Sequence, residues 1–146
     1  MIVIDANLLL YAYDRKSPFH RKAKEWIEDV FSDREPVGLP WQSVSAFIRI
    51  TTNAALPGAR STVHQAVEIV DSWLDQPNVR LLTAGDGHWI LFRQMLLDGQ
   101  ARGPLASDAQ LAAITIEYGG ILQTTDRDFA RFPGLRWNNP IGSLIA

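Results

Sequence analysis

Ile2-Val3-Ile4 is a short unbroken apolar run closed by Asp5, the pattern of a strand buried on both faces. Leu8 to Tyr13 is amphipathic, and Asn7 is placed to N-cap a helix beginning at Leu8. After the Ser17-Pro18 break, Ala23, Trp26, Ile27 and Val30 fall on one face of a helix over Phe19 to Phe31. Val37 to Leu39 reads as a strand. Ser43 to Thr52 reads as a helix that turns Val44, Phe47, Ile48 and Thr51 inward and is ended by Leu56-Pro57-Gly58. Ser61 is placed to cap a longer helix, with Val63, Val67, Val70 and Leu74 at helical spacing. Val79 to Leu82 is a third strand and His88 to Leu97 a helix. A loop over Gly99 to Pro104 leads to a helix from Asp108 to Tyr118, capped by Ser107 and stopped by Gly119-Gly120. Ile121 to Thr124 and Leu135 to Trp137 supply a fourth and a fifth strand. Strands alternating with helices predict an α/β fold. The expectation is a single domain over residues 1–146, with a central parallel sheet of four or five strands and helices on both faces.

Asp5 then falls at the carboxyl end of a strand, where open α/β sheets bind ligands. A second strand-then-acid arrangement occurs at Ile121 to Asp128, ending in Asp126-Arg127-Asp128. Asp108 stands in the first turn of its helix, where the dipole favours a negative charge. That helix start belongs to the same sheet edge. Taken singly, each of these residues could be a turn, cap or solvated acid; their joint placement predicts one acidic pocket. Converging carboxylates repel one another unless a cation offsets them, and an oxygen-only donor set suits Mg²⁺ or Mn²⁺. Such a site activates water and stabilises the oxygens of phosphodiester displacement.

Composition narrows the classes. The 146 residues contain no Cys, so disulfides and thiolate metal sites are excluded and a reducing cytoplasm is the expected compartment. No apolar run is long enough for a membrane span, and Met1 leads into a strand without a basic signal-peptide segment. Net charge is −2, so nucleic-acid binding has to come from local patches. The densest basic stretch holds Arg15, Lys16, Arg21 and Lys22, candidates for RNA backbone contact or a solvated helix face. Arg49, Arg127 and Arg131 could steady a phosphate or pair with nearby carboxylates. The three His show no metal-ligand spacing, and the five Trp read mainly as packing residues.

Three stretches carry a resemblance: Ile2-Val3-Ile4-Asp5-Ala6-Asn7-Leu8-Leu9-Leu10-Tyr11-Ala12, Ser107-Asp108-Ala109-Gln110-Leu111-Ala112-Ala113, and Thr124-Thr125-Asp126-Arg127-Asp128-Phe129 through Leu135. In order and spacing the chain resembles PIN-domain ribonucleases, and within them the VapC-type toxins of toxin–antitoxin pairs. The resemblance implies a metal-dependent endoribonuclease whose acids are Asp5, Asp108, Asp126 and Asp128. Asp5, Asp108 and Asp126 would hold Mg²⁺ or Mn²⁺, with Asn7 and Arg127 in support. It also implies an RNA substrate, a small cognate antitoxin and a homodimer.

The pattern departs at one position. Such nucleases carry a Glu where this chain has Ala46, in Ala46-Phe47-Ile48-Arg49. A catalytically weakened RNA- or protein-binding module is therefore the alternative. An aspartyl phosphatase with Asp5 as nucleophile is a further one, disfavoured because it wants an acid where Asn7 stands.

Overall fold

The computed structural model describes residues 1–57 and 60–142; Gly58, the last residue of the expected Leu56-Pro57-Gly58 break, lies outside them. In chain order the strands are β1 (Ile2–Ile4), β2 (Val37–Pro40), β3 (Val79–Leu82), β4 (Ile121–Gln123) and β5 (Trp137–Asn138). The helices are α1 (Ala6–Tyr13), α2 (His20–Phe31), α3 (Trp41–Thr51), α4 (Val63–Leu74), α5 (His88–Gly99) and α6 (Leu105–Glu117), and a 3₁₀ turn spans Arg127–Arg131. The sheet order is β3-β2-β1-β4-β5 and every pairing is parallel. Chain order reverses on the two sides of β1. The carboxyl ends of β1 and β4 are thus neighbours at the topological switch point.

Alternation along the strands splits the interior into two cores. Ile4, Val37, Leu39 and Val79 face α1 to α4, where Leu8, Leu9, Ile27, Phe47 and Trp73 pack. Val3, Leu82 and Leu122 face α5 and α6, where Met95, Leu111, Ile114, Phe129 and Phe132 pack. In the first core the rings of Phe47 and Trp73 meet edge to face at 4.7 Å. The Trp73 indole Nε1 donates to the Tyr13 hydroxyl at 2.9 Å. Burial raises the Tyr13 pKa, against the lowering effect of that bond. Gly119, at φ +65, takes the left-handed turn that ends α6 and feeds β4.

Several expectations are corrected. The first helix begins at Ala6, so Asp5, not Asn7, takes the N-cap position. Its extended backbone (φ −74, ψ 147) turns the chain directly behind the carboxylate. Asn7 instead sends its side chain across to Thr125. Ser107 does not cap α6; the helix starts at Leu105, behind Pro104 with its helical φ of −58. Thr62, not Ser61, caps α4 through a reciprocal capping box with Gln65. Val63 and Val67 are exposed, because α4 turns Ala66, Val70 and Trp73 inward. After β4 the chain forms only the 3₁₀ turn, with Asp126 as its N-cap.

Candidate active site

Asp5 and Asp108 line the same cleft, of about 450 Å³, together with Gln42, Ser43, Ala46, Arg49 and Gln110. Asp5 arrives from the end of β1 and Asp108 from the first turn of α6. The opposite wall is α3, whose Gln42, Ala46 and Arg49 share one face at helical spacing. Gln42 Nε2 donates to the Ser107 carbonyl at 3.1 Å, fixing that wall to the start of α6.

Local hydrogen bonds set the orientation of the acids. The Thr124 hydroxyl donates to Asp5 Oδ2 at 2.8 Å and accepts the Asp126 amide at 3.0 Å. One side chain thereby ties the end of β1 to the end of β4. Asp126 Oδ1 accepts the Asp128 amide at 2.8 Å. Asn7 Nδ2 donates to Thr125 Oγ1 at 3.0 Å, while Asn7 Oδ1 is buried without a protein partner.

Electrostatics report the crowding of charge. Burial lifts the Asp5 carboxyl above its ordinary value, opposed by the bonds from Thr124 and the Ala6 amide, and the charge of Asp126 lifts it further. Asp108 is pushed up to about 6, first by burial, then by Asp126, Asp5 and Asp128, with Arg131 acting against the rise. Asp108 therefore feels the charge of the other three predicted acids, and Asp5 that of Asp126. Their oxygens, the hydroxyl-anchored Asp5 and the unpartnered Asn7 carbonyl form a donor set that suits a hard divalent cation. Among the described residues, no group of three or more acidic, His or Cys side chains is drawn close enough to hold a metal ion as the side chains stand.

The remaining sequence candidates are placed elsewhere. Arg15, Lys16, Arg21 and Lys22 are exposed, and none lines the acidic cleft. Arg15 lines a separate cavity with Tyr13, His20 and Lys24. Arg127 is exposed on the 3₁₀ turn, and Arg131 donates to the Gly99 carbonyl at 3.2 Å. The residues that sequence reasoning missed are Thr124, Thr125 and Gln110. The one signal for the threonines was their position between β4 and Asp126. Gln110 lines the cleft while its Nε2 lies 3.3 Å from His88 Nε2.

The chain is 40% identical over 141 residues to Ribonuclease VapC33 of Mycobacterium tuberculosis, covering 97% of this chain and 99% of that protein. It is 36% identical to Ribonuclease VapC43 of the same organism, covering 97% and 96%. Solved structures share the fold at low identity. VapBC2 from Rickettsia felis, bound to a DNA fragment from its promoter, matches with a TM-score of 0.70 at 15% identity, covering 95% of this chain and 98% of that chain. VapC20 of Mycobacterium tuberculosis, a Sarcin-Ricin loop cleaving toxin, matches with a TM-score of 0.67 at 16% identity, covering 93% and 99%. The PIN domain family model matches residues 2–135. With that model spanning most of its length and relatives at 36–40% identity over nearly all of it, the chain belongs to the PIN domain family.

Proposed function

We propose that this protein is a divalent-metal-dependent endoribonuclease, the toxin of a type II toxin–antitoxin pair acting in the cytoplasm. The observation that carries this reading is the convergence of Asp5 and Asp108 on one cleft, with Asp126 and Asp128 close enough to raise the Asp108 pKa. Relatives named ribonucleases, matched over nearly their whole length, support RNA as the substrate.

Asp5, Asp108 and Asp126 would hold Mg²⁺ or Mn²⁺ through carboxylate oxygens. When bound, such a cation stabilises charge on phosphoryl oxygens and makes water more acidic. The chain's own residues prepare this chemistry. Thr124 and the Ala6 amide hold the Asp5 carboxylate in one orientation. Thr125 fixes the Asn7 amide, leaving its carbonyl oxygen as a buried acceptor. Asp128 extends the negative field behind Asp126. Arg127, exposed on the turn between them, is assigned a supporting role beside these acids.

The partners follow the same reading. Solved neighbours that are VapBC complexes support a small cognate antitoxin, and the cavities that meet at Tyr13 on the α1–α4 side offer it apolar surface. Exposed Trp89, Ile90 and Leu97 on α5 support a homodimer. Arg15, Lys16, Arg21 and Lys22 are proposed to contact flanking RNA away from the cleft. No helix among the described residues is long and apolar enough to cross a membrane.

A second reading, a binding module of weakened activity, is favoured by one observation: the wall position that would carry a carboxylate is Ala46. Incubating the purified protein with total RNA and Mn²⁺, with and without chelator, separates the two. The nuclease reading expects cleavage that chelator abolishes. Intact RNA at high protein concentration supports the binding reading.

A further inference from the structure

We infer that Arg49 is the phosphate-binding residue of the cleft, gripping the non-bridging oxygens of an RNA phosphodiester presented to Asp5 and Asp108. This rests on the ribonuclease reading above. A wall of carboxylates repels a phosphodiester, so a productive cleft needs a cation of its own beside any bound metal. Among the residues lining this cleft, Arg49 is the one that carries positive charge.

Three observations leave its guanidinium available. Arg49 is exposed on the last turn of α3. It makes no ion pair among the described residues, whose pairs are Met1–Glu35, Lys24–Glu28 and His64–Glu68. Arg131, not Arg49, is the cation that acts on Asp108. The residue one turn earlier on the same face is Ala46, which also lines the cleft. A carboxylate there would sit at i, i+3 from Arg49 and pair with it; a methyl group does not. The substitution that removes an acid from this wall thus leaves the arginine free for substrate. A guanidinium presents a planar fork of donors matched to two phosphate oxygens, a geometry that an ammonium lacks.

The test is binding of a short fluorescein-labelled single-stranded RNA, followed by anisotropy across a salt series in the presence of chelator, so that binding is read without cleavage. Arg49→Ala is expected to bind roughly tenfold more weakly. Its log K against log salt slope is expected to be shallower by about 0.7, the loss of one phosphate contact on a single strand. Arg49→Lys is expected to keep the slope and recover part of the affinity. Ala46→Glu, with Arg49 intact, is expected to weaken binding towards the Arg49→Ala level. Circular dichroism melts of these variants establish that each is folded. Arg49→Ala binding with the parent's affinity and slope overturns the assignment, as does Arg49→Lys behaving like Arg49→Ala in both. A parallel Mn²⁺ cleavage assay on the parent keeps the two claims apart. Absence of cleavage defeats the ribonuclease reading, whereas cleavage with unaltered Arg49→Ala binding defeats only the role of Arg49.

Discussion

The hydroxyl of Thr124 donates to Asp5 Oδ2 at 2.8 Å across 119 positions of sequence. That bond fixes the first acid of the cleft from the strand next to its own. It also favours the ionised form of a carboxyl whose pKa burial raises. Thr124→Val keeps the shape of a fully buried residue and removes the donor. Bonds to charged groups contribute about 1.5–3 kcal/mol, so RNA cleavage is expected to fall on the order of tenfold to a hundredfold. The acid limb of the pH–rate profile should move to higher pH. Thr124→Ser should restore both. An unmoved acid limb in Thr124→Val would remove Thr124 from the site.

Asp108 carries a stability signature. Its pKa of about 6 lies above the ordinary 3.8. Between those values the folded chain binds a proton that the unfolded chain has released, so folded stability falls as pH rises through that window. In chelator, Asp108→Asn is therefore expected to melt above the parent at pH 7, with the gap closing towards pH 4. Calorimetry across that range checks it. A variant that melts below the parent at pH 7 would show that the Asp108 charge is not under strain.

Bound metal should act in the opposite sense. A cation that occupies the cleft binds only the folded state, which at about 100 times its dissociation constant contributes roughly 2.7 kcal/mol. Mn²⁺ is expected to raise the parent's melting temperature well above that of Asp5→Asn under the same conditions. Equal shifts in the two proteins would place the ion elsewhere.

Phe47 anchors the wall opposite Asp108 from behind. Its fully buried ring packs against Trp73 and Tyr13, with centroids at 4.7 and 5.6 Å. Phe47→Ala should cost about 3–5 kcal/mol, read by denaturant unfolding. A loss under 1 kcal/mol would mean that the α1–α4 core collapses to fill the space.

Strand positions were legible because a short apolar run that stops at Asp5, or at Thr124, is too brief for a buried helix and too apolar for a loop. Helix starts were less so. Asn7 and Ser107 are good caps by chemistry, but the chain enters α1 and α6 earlier, behind Asp5 and Pro104. On α4, the Val63-Val67-Val70-Leu74 stripe and the Ala66-Val70-Trp73 stripe both have helical spacing. Burying Trp73 in the aromatic cluster decided between them. Of the site, the acids were readable as strand-end and helix-start residues. Thr124 was not, since a threonine after a strand looks like any other until the neighbouring strand is known. The basic run at Arg15 to Lys22 was conspicuous in sequence, yet it lies outside the cleft. Arg49 was readable only as one of three arginines able to steady a phosphate; its place on the cleft wall sets it apart from Arg127 and Arg131.

Isothermal titration of Mn²⁺ into the parent, Asp5→Asn and Asp108→Asn, paired with RNA cleavage by the same samples, addresses the shared cleft most directly. Either substitution alone should weaken Mn²⁺ binding at least tenfold and abolish cleavage while the melting transition stays cooperative. Mn²⁺-dependent cleavage persisting at the parent's rate in both variants would contradict a common site for the two aspartates.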